Sequence, residues 1–281
     1  MPRDTGFPRA DAESDFLRAR RAQVLSRLAA WLRREPDDVN IMLPFEEVTA
    51  ALGVLGERRL GLQVIPLDSI VGSVDRNRDF DRRFRPTSAR VRQRWERLAM
   101  AQRRGESIPP IDVYRVGELH FVRDGHHRVS VAHALGLSTI DAYVTAVRTK
   151  LSATGIRYRG DLIVKDYRRV FLERVPLTGE ARAAIVVADP WDYAELGEAV
   201  EAWGFRLMQD EGRFLDRATV ASRWYTEEFV PVVRMIRQAD LLGDRTEAEA
   251  YLWVIRERYR LIRTHRWDDA VLNELRHRRP R

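Results

Sequence analysis

The 281-residue chain contains no cysteine, which excludes disulfides, thiolate metal sites and cysteine nucleophiles together and fits a reducing compartment. No run approaches the ~18 consecutive apolar residues that a spanning helix requires, and the opening stretch from Met1 to Gly6 has none of the apolar character of a signal peptide. A cytoplasmic protein with no membrane partner is the expectation. Lysine is nearly missing as well. All but Lys150 and Lys165 of the 49 basic residues are arginine, and asparagine stands only at positions 40, 77 and 273. That joint scarcity is the mark of GC-rich coding, which enriches arginine whatever the function. The net charge of +7 therefore points only weakly to nucleic acid, because 42 acidic residues are interspersed with the basic ones as on an ordinary solvated surface. There is no internal repeat and no Walker, dinucleotide or Gly-x-Ser-x-Gly fingerprint.

What is present begins with a polar, aperiodic stretch, 1–14, that reads as a tail. From Phe16 to Arg34 the residues Leu17, Val24, Leu25, Leu28, Trp31 and Leu32 keep helical spacing, with arginines on the other side. Such a helix can lie on a membrane or on DNA, but packing of its apolar face on its own domain is the commoner outcome and the one expected. A second helix is predicted over 44–55, ended by Gly53 or Gly56, then a strand over 62–67 and an irregular charged loop from Val71 to Asp81. Thr87 or Ser88 caps a helix with the stripe Val91, Trp95 and Leu98. Strands at 111–116 and 119–122 flank a hairpin turn at Gly117 and Glu118. A short helix carrying Val129, Ala132 and Leu135 follows, closed by Gly136, and then a strand in which Ile140, Ala142, Val144 and Ala146 alternate.

The predicted organisation is an N-terminal helical segment (1–59), a compact α/β unit (60–148), a mixed connecting region (149–189) with a strand at 184–187, and a helical C-terminal region (190–275). In that last region Asp189-Pro190 opens a helix, Pro231 interrupts one, and Thr246 with Glu249 has capping-box spacing. Ala248, Leu252, Ile255, Tyr259 and Ile262 then form one stripe. The fold class is α+β. A homodimer seam along that stripe is the alternative to a helix-pair interior.

Chemistry concentrates at Asp124, Gly125, His126, His127 and Arg128. A strand running into Asp-Gly and then a helix gathers backbone N–H groups at the helix N-terminus, where an anion is favoured. Gly125 permits close approach and an unusual φ, and the next three side chains are donors to phosphate oxygens. Asp124 cannot ligate phosphate but can hold the turn or orient a histidine. Asp75, Asp79 and Asp81 share one loop and could hold Mg²⁺ beside a nucleotide, although the interleaved Arg76, Arg78, Arg82 and Arg83 favour local salt bridges. His126 and His133 are too far apart to share a metal, and no zinc set is completed.

The run from Phe121 to Gly136, with its strand, Gly-x-x-Arg turn and alanine-containing helix ending at glycine, resembles the hallmark of the ParB and sulfiredoxin superfamily. The stretch from Ile65 to Ile70 resembles that superfamily's first strand and the loop after it. The resemblance covers residues ~62–147 and implies a small mixed-sheet domain with flanking helices that binds a nucleotide (CTP, ATP or ADP, with Mg²⁺) through its phosphates. It carries phosphate contacts to His126, His127 and Arg128 and places the nucleotide against residues 72–76, including Ser73 and Arg76. In sulfiredoxins a cysteine precedes the His-Arg pair; here position 125 is glycine. The Asp-Gly-His-His-Arg form looks closest to free serine kinases, whose catalytic carboxylate falls near Val74 and leaves Asp75 as the candidate base. The resemblance implies a nucleotide-binding, DNA-associated or regulatory protein, with a small-molecule kinase and then a nuclease as alternatives. The helix-turn-helix of ParB partition proteins is not recognisable; the stretch from Arg217 to Trp224 has only a trace of it, and Trp224 suits a core position.

Overall fold

The computed structural model describes residues 4–34, 40–74 and 79–262; Asp75, Arg76 and Arg78 lie outside them. The chain divides into two compact units at Leu162/Ile163, so the N-terminal helices belong to the same unit as the sheet. Both contain helix, and the first holds a mixed six-stranded sheet.

In the first unit the elements run α1 (Pro8–Leu32), β1 (Leu43–Pro44), α2 (Phe45–Leu52), β2 (Val54–Pro66), β3 (Ile70–Ser73), α3 (Arg92–Arg103), β4 (Ile111–Val116), β5 (Leu119–Asp124), α4 (His126–Ala134) and β6 (Thr139–Thr149). The sheet order is β1-β3-β5-β4-β6-β2. β1, β3 and β5 are parallel neighbours, β4 and β5 form the expected hairpin, and β6 lies parallel to β4 and antiparallel to β2. Two expectations change here. The strand predicted at 62–67 begins at Val54, because its pairing with β6 runs from Val54↔Thr149 to Pro66↔Thr139 and carries the chain over bulges at Gly56 and Gly61. Residues 71–73, predicted as loop, join Ile70 in β3, and Gly72 is what lets them in: a Cβ there would stand 2.1 Å from the Leu43 carbonyl oxygen of β1.

One face of this sheet carries Val113, Val122, Ala142 and Val144 against α3 and α4, with Trp95, Val129 and Phe16 completing the core. Trp95 is fully buried and its indole N–H donates to Ser130 Oγ at 2.8 Å, which removes the cost of burying that donor. Alternation sends Tyr114 and Phe121 to the other face, where Phe45 of α2 stacks on Tyr114 at 4.6 Å and meets Phe121 edge-on at 5.6 Å. α3 starts later than its predicted caps. Thr87 N–H goes to Asp79 O instead, and neither Thr87 nor Ser88 caps the helix.

α1 departs most from expectation. It begins at Pro8, and its first turns are docked: Asp11, Ala12, Asp15 and Phe16 are buried, Asp15 pairs with Arg103 of α3, and Phe16 meets Trp95 edge-on at 5.6 Å. The apolar stripe that should have packed is exposed along its whole length. Burial follows the opposite face.

The second unit runs α5 (Asp161–Arg174), α6 (Gly179–Ala184), α7 (Pro190–Glu211), α8 (Arg217–Trp224), α9 (Val230–Gln238) and α10 (Glu247–Ile262). The strand predicted at 184–187 is the end of α6 followed by an irregular stretch, in which Ile185 and Val187 are core anchors. Asp189 caps α7 through Trp191 N–H at 2.9 Å. Thr246 and Glu249 exchange the two capping-box bonds, at 2.8 and 3.2 Å. Pro231 does not break the rod. A π-helical turn, Tyr225–Phe229, joins α8 to α9, accommodating the N–H that proline lacks. Trp224 is fully buried, with its indole N–H on Tyr251 Oη at 3.2 Å, and so occupies a core position. Of the α10 stripe, Ala248 and Leu252 are buried and Ile255 packs beside them; the Tyr259 and Ile262 side chains lie outside what is described. No helix among the described residues is long and apolar enough to cross a membrane.

Candidate functional site

The parallel strands β3 and β5 end side by side, with Ser73 paired to Val122. The chain leaves β5 through Gly125 at φ 110°, ψ 18° and enters α4 at once. Only glycine fits. A Cβ would stand 2.5 Å from Ile111 Cγ2, inside van der Waals contact with a fully buried side chain. The first bond of α4 runs from Val129 N–H to Gly125 O, so the amides of His126, His127 and Arg128 precede the helical ladder and converge at its positive end.

Three of the five sequence-assigned residues of the turn, Arg128, His127 and His126, face partners that pattern reasoning had not supplied. Arg128 turns back: Nη1 donates to the carbonyls of Pro109 and Pro110 at 2.9 and 2.6 Å, and Nη2 pairs with Asp124. It closes the turn onto the start of β4, and Asp124 holds it there. His127 packs edge-on against Phe80 with ring centroids 5.1 Å apart, and its buried Nδ1 has no hydrogen-bond partner among the described residues. Burial, reinforced by Arg94, pushes its pKa down to about 4, so at neutral pH it is an uncharged imidazole.

His126 and Ser73 are brought together across 53 residues of sequence. Ser73 Oγ lies 2.7 Å from His126 Nε2 and 3.3 Å from Val122 O. Asp75 and Arg76 lie outside the described residues. Asp81 is buried and spent on its own loop: Oδ1 accepts from the amides of Arg83 and Arg85 at 3.0 and 2.9 Å, and Oδ2 from Arg85 Nε at 2.8 Å. The local salt-bridge reading of the loop is the one Asp81 follows.

Three features were missed by sequence reasoning. Phe84 is fully buried at φ 55°, a left-handed conformation that a bulky residue adopts only under constraint, and its ring lies 6.2 Å from that of His126 and 6.4 Å from that of His133. His120 is buried with Nδ1 2.9 Å from Ser69 Oγ, whose proton is engaged by Pro66 O at 2.5 Å; the imidazole therefore carries its hydrogen on Nδ1. A cavity of about 530 Å³, with Asn40, Asp68, Arg82, Arg83, His133 and Tyr158 on its walls, opens near the C-terminal end of α4 and not at the 124–128 turn. The aromatic at position 84 and the arginine-rich stretch 82–85 were the available signals, but only tertiary structure places them over α4.

No protein-family model matches the chain, and no curated protein matches it.

Proposed function

We propose that the chain is a nucleotide-binding protein of the ParB type, which holds the phosphates of a nucleotide against the N-terminus of α4. The observation that carries the reading is the junction at Gly125. Parallel strands β3 and β5 end together, a left-handed glycine turns one of them directly into a helix, and Ser73 and His126 meet at that point. Helix N-termini beyond the carboxyl ends of parallel strands favour anions, because the dipole and the unladdered amides act in the same direction. The motif's resemblance supplies the nucleotide (CTP, ATP or ADP, with Mg²⁺). His126 and the amides of 126–128 are the direct contacts, and the buried Ser73 holds the imidazole in place. Arg128 contributes its charge and the shape of the turn, since both Nη atoms already have acceptors. A regulatory or DNA-associated role for the whole chain rests on the resemblance alone.

The test is thermal stabilisation by CTP, ATP, ADP and GTP, since a ligand of the folded state alone raises the melting temperature. His126→Ala should weaken the stabilising nucleotide roughly tenfold or more, the worth of a strong hydrogen bond to phosphate. If millimolar amounts of all four nucleotides leave the melting temperature unchanged, the reading fails.

A further inference from the structure

The face of α1 that the sequence marks as apolar is turned to solvent. Leu17, Val24, Leu25, Leu28, Trp31 and Leu32 are all exposed, Leu25 by 64% and Trp31 by 73%. At ~100° per residue they fall within about 120° of arc. Asp11, Asp15 and Gln23 are buried on the opposite side. The helix is not loosely attached: Asp15 pairs with Arg103, Phe16 packs on Trp95, and Arg85 Nη1 donates to the Ala22 carbonyl at 2.8 Å. A helix that docks through its polar side and presents six large apolar residues on the other exceeds the scattered exposed leucines of an ordinary surface.

Charge decides what covers it. From Phe16 to Arg34 the sequence has six arginines and no acidic residue. On the helical wheel Arg20 and Arg27 border one side of the apolar arc, Arg21 lies within it, and Arg18, which pairs with Asp15 at 2.9 Å, borders the other side. A second copy of the same face would set arginine against arginine. Duplex DNA would satisfy the arginines but leave the leucines and Trp31 in water. An anionic bilayer surface satisfies both, because acyl chains accept the apolar arc while headgroup phosphates accept the guanidinium groups, and tryptophan favours that boundary.

We propose that α1 is an interfacial membrane-binding helix that seats the first unit on anionic lipid, lying in the bilayer surface without crossing it. The inference is independent of the nucleotide reading.

Co-sedimentation of the full chain with vesicles tests it. Vesicles of phosphatidylcholine with phosphatidylglycerol should retain the protein, and phosphatidylcholine alone should retain it at least about tenfold less. Leu28→Asp and Arg27→Glu should each reduce retention by about tenfold or more, with unchanged circular dichroism and melting, because both side chains are exposed. Phe214→Asp, which changes an 85% exposed aromatic of the second unit, should bind as the parent does. Equal retention by both vesicle types overturns the proposal, as does undiminished binding by both α1 variants. It is equally overturned if vesicles retain nothing while Leu28→Asp dissociates a dimer, which would make the face a self-interface, or while Arg27→Glu abolishes duplex DNA binding, which would make it a nucleic-acid surface.

Discussion

Replacing Arg128 by alanine separates the fold-holding role of this side chain from a ligand-holding one. The guanidinium is 15% exposed and spans two carbonyls, those of Pro109 and Pro110, and the Asp124 carboxylate. A hydrogen bond from a charged donor is worth about 1.5–3 kcal/mol. The Asp124 carboxylate is mostly exposed, so its pairing adds under ~1 kcal/mol, and the carbonyls regain some water when the side chain is removed. The net expectation is a loss of about 2–3 kcal/mol. At ~2–4 °C per kcal/mol for a domain of this size, that lowers the melting temperature by roughly 4–12 °C. Calorimetry should resolve it in the transition of the first unit, since two compact units need not unfold together. Arg128→Lys keeps the charge but cannot bridge all three acceptors, and should recover at most about half the loss. If Arg128→Ala melts within about 1 °C of the parent, the clamp contributes nothing and the residue is available to a ligand after all.

Gly125→Ala combines left-handed strain with a methyl group 2.5 Å from Ile111 Cγ2, and should cost about 2–5 kcal/mol in urea unfolding; a neutral result would mean that the turn relaxes freely. Ser130→Ala leaves the indole N–H of the fully buried Trp95 without its acceptor, an expected loss of about 1–3 kcal/mol in the same assay, and a change under ~0.5 kcal/mol would count against that bond. Burial, with Arg115 adding to it, holds the pKa of His120 down to about 4. The unfolded chain therefore binds the extra proton first, and stability present above pH ~6.5 is lost as pH falls toward 4. Stability should drop by about 2 kcal/mol between pH 8 and 5 from this residue, and His120→Gln should remove that share of the slope while the similar share of His127 remains; an unchanged slope would remove His120 as a source.

The elements that sequence reading placed well are those whose signals are local. The hairpin at Gly117, the Asp189-Pro190 helix start and the Thr246/Glu249 capping box depend on residues a few positions apart, and all three stand in the structure. The strand-turn-helix around Gly125 is of the same kind. What the sequence concealed is set by distant partners. Ser73 reaches His126 only because β3 and β5 are parallel neighbours, and β3 joins the sheet only because Gly72 admits the Leu43 carbonyl. Residue type and spacing mark Arg128 as a donor to an anion but cannot disclose two backbone carbonyls lying 18 and 19 positions upstream.

α1 shows the limit of periodicity in its sharpest form. Helical spacing of apolar residues identifies a face, and the face was found where it was expected. Periodicity says nothing about which surface that face meets, since burial is decided by the element opposite. Here the opposing surface offers Arg103 to Asp15 and Trp95 to Phe16. One buried ion pair and one aromatic contact fix the rotation of the whole helix, because a rigid rod cannot satisfy them and also turn Leu25 and Trp31 inward. Residues 11–16 therefore determine the exposure of residues 17–32. A sequence reading that weighs the longer apolar stripe over the shorter docking segment assigns the helix the wrong side.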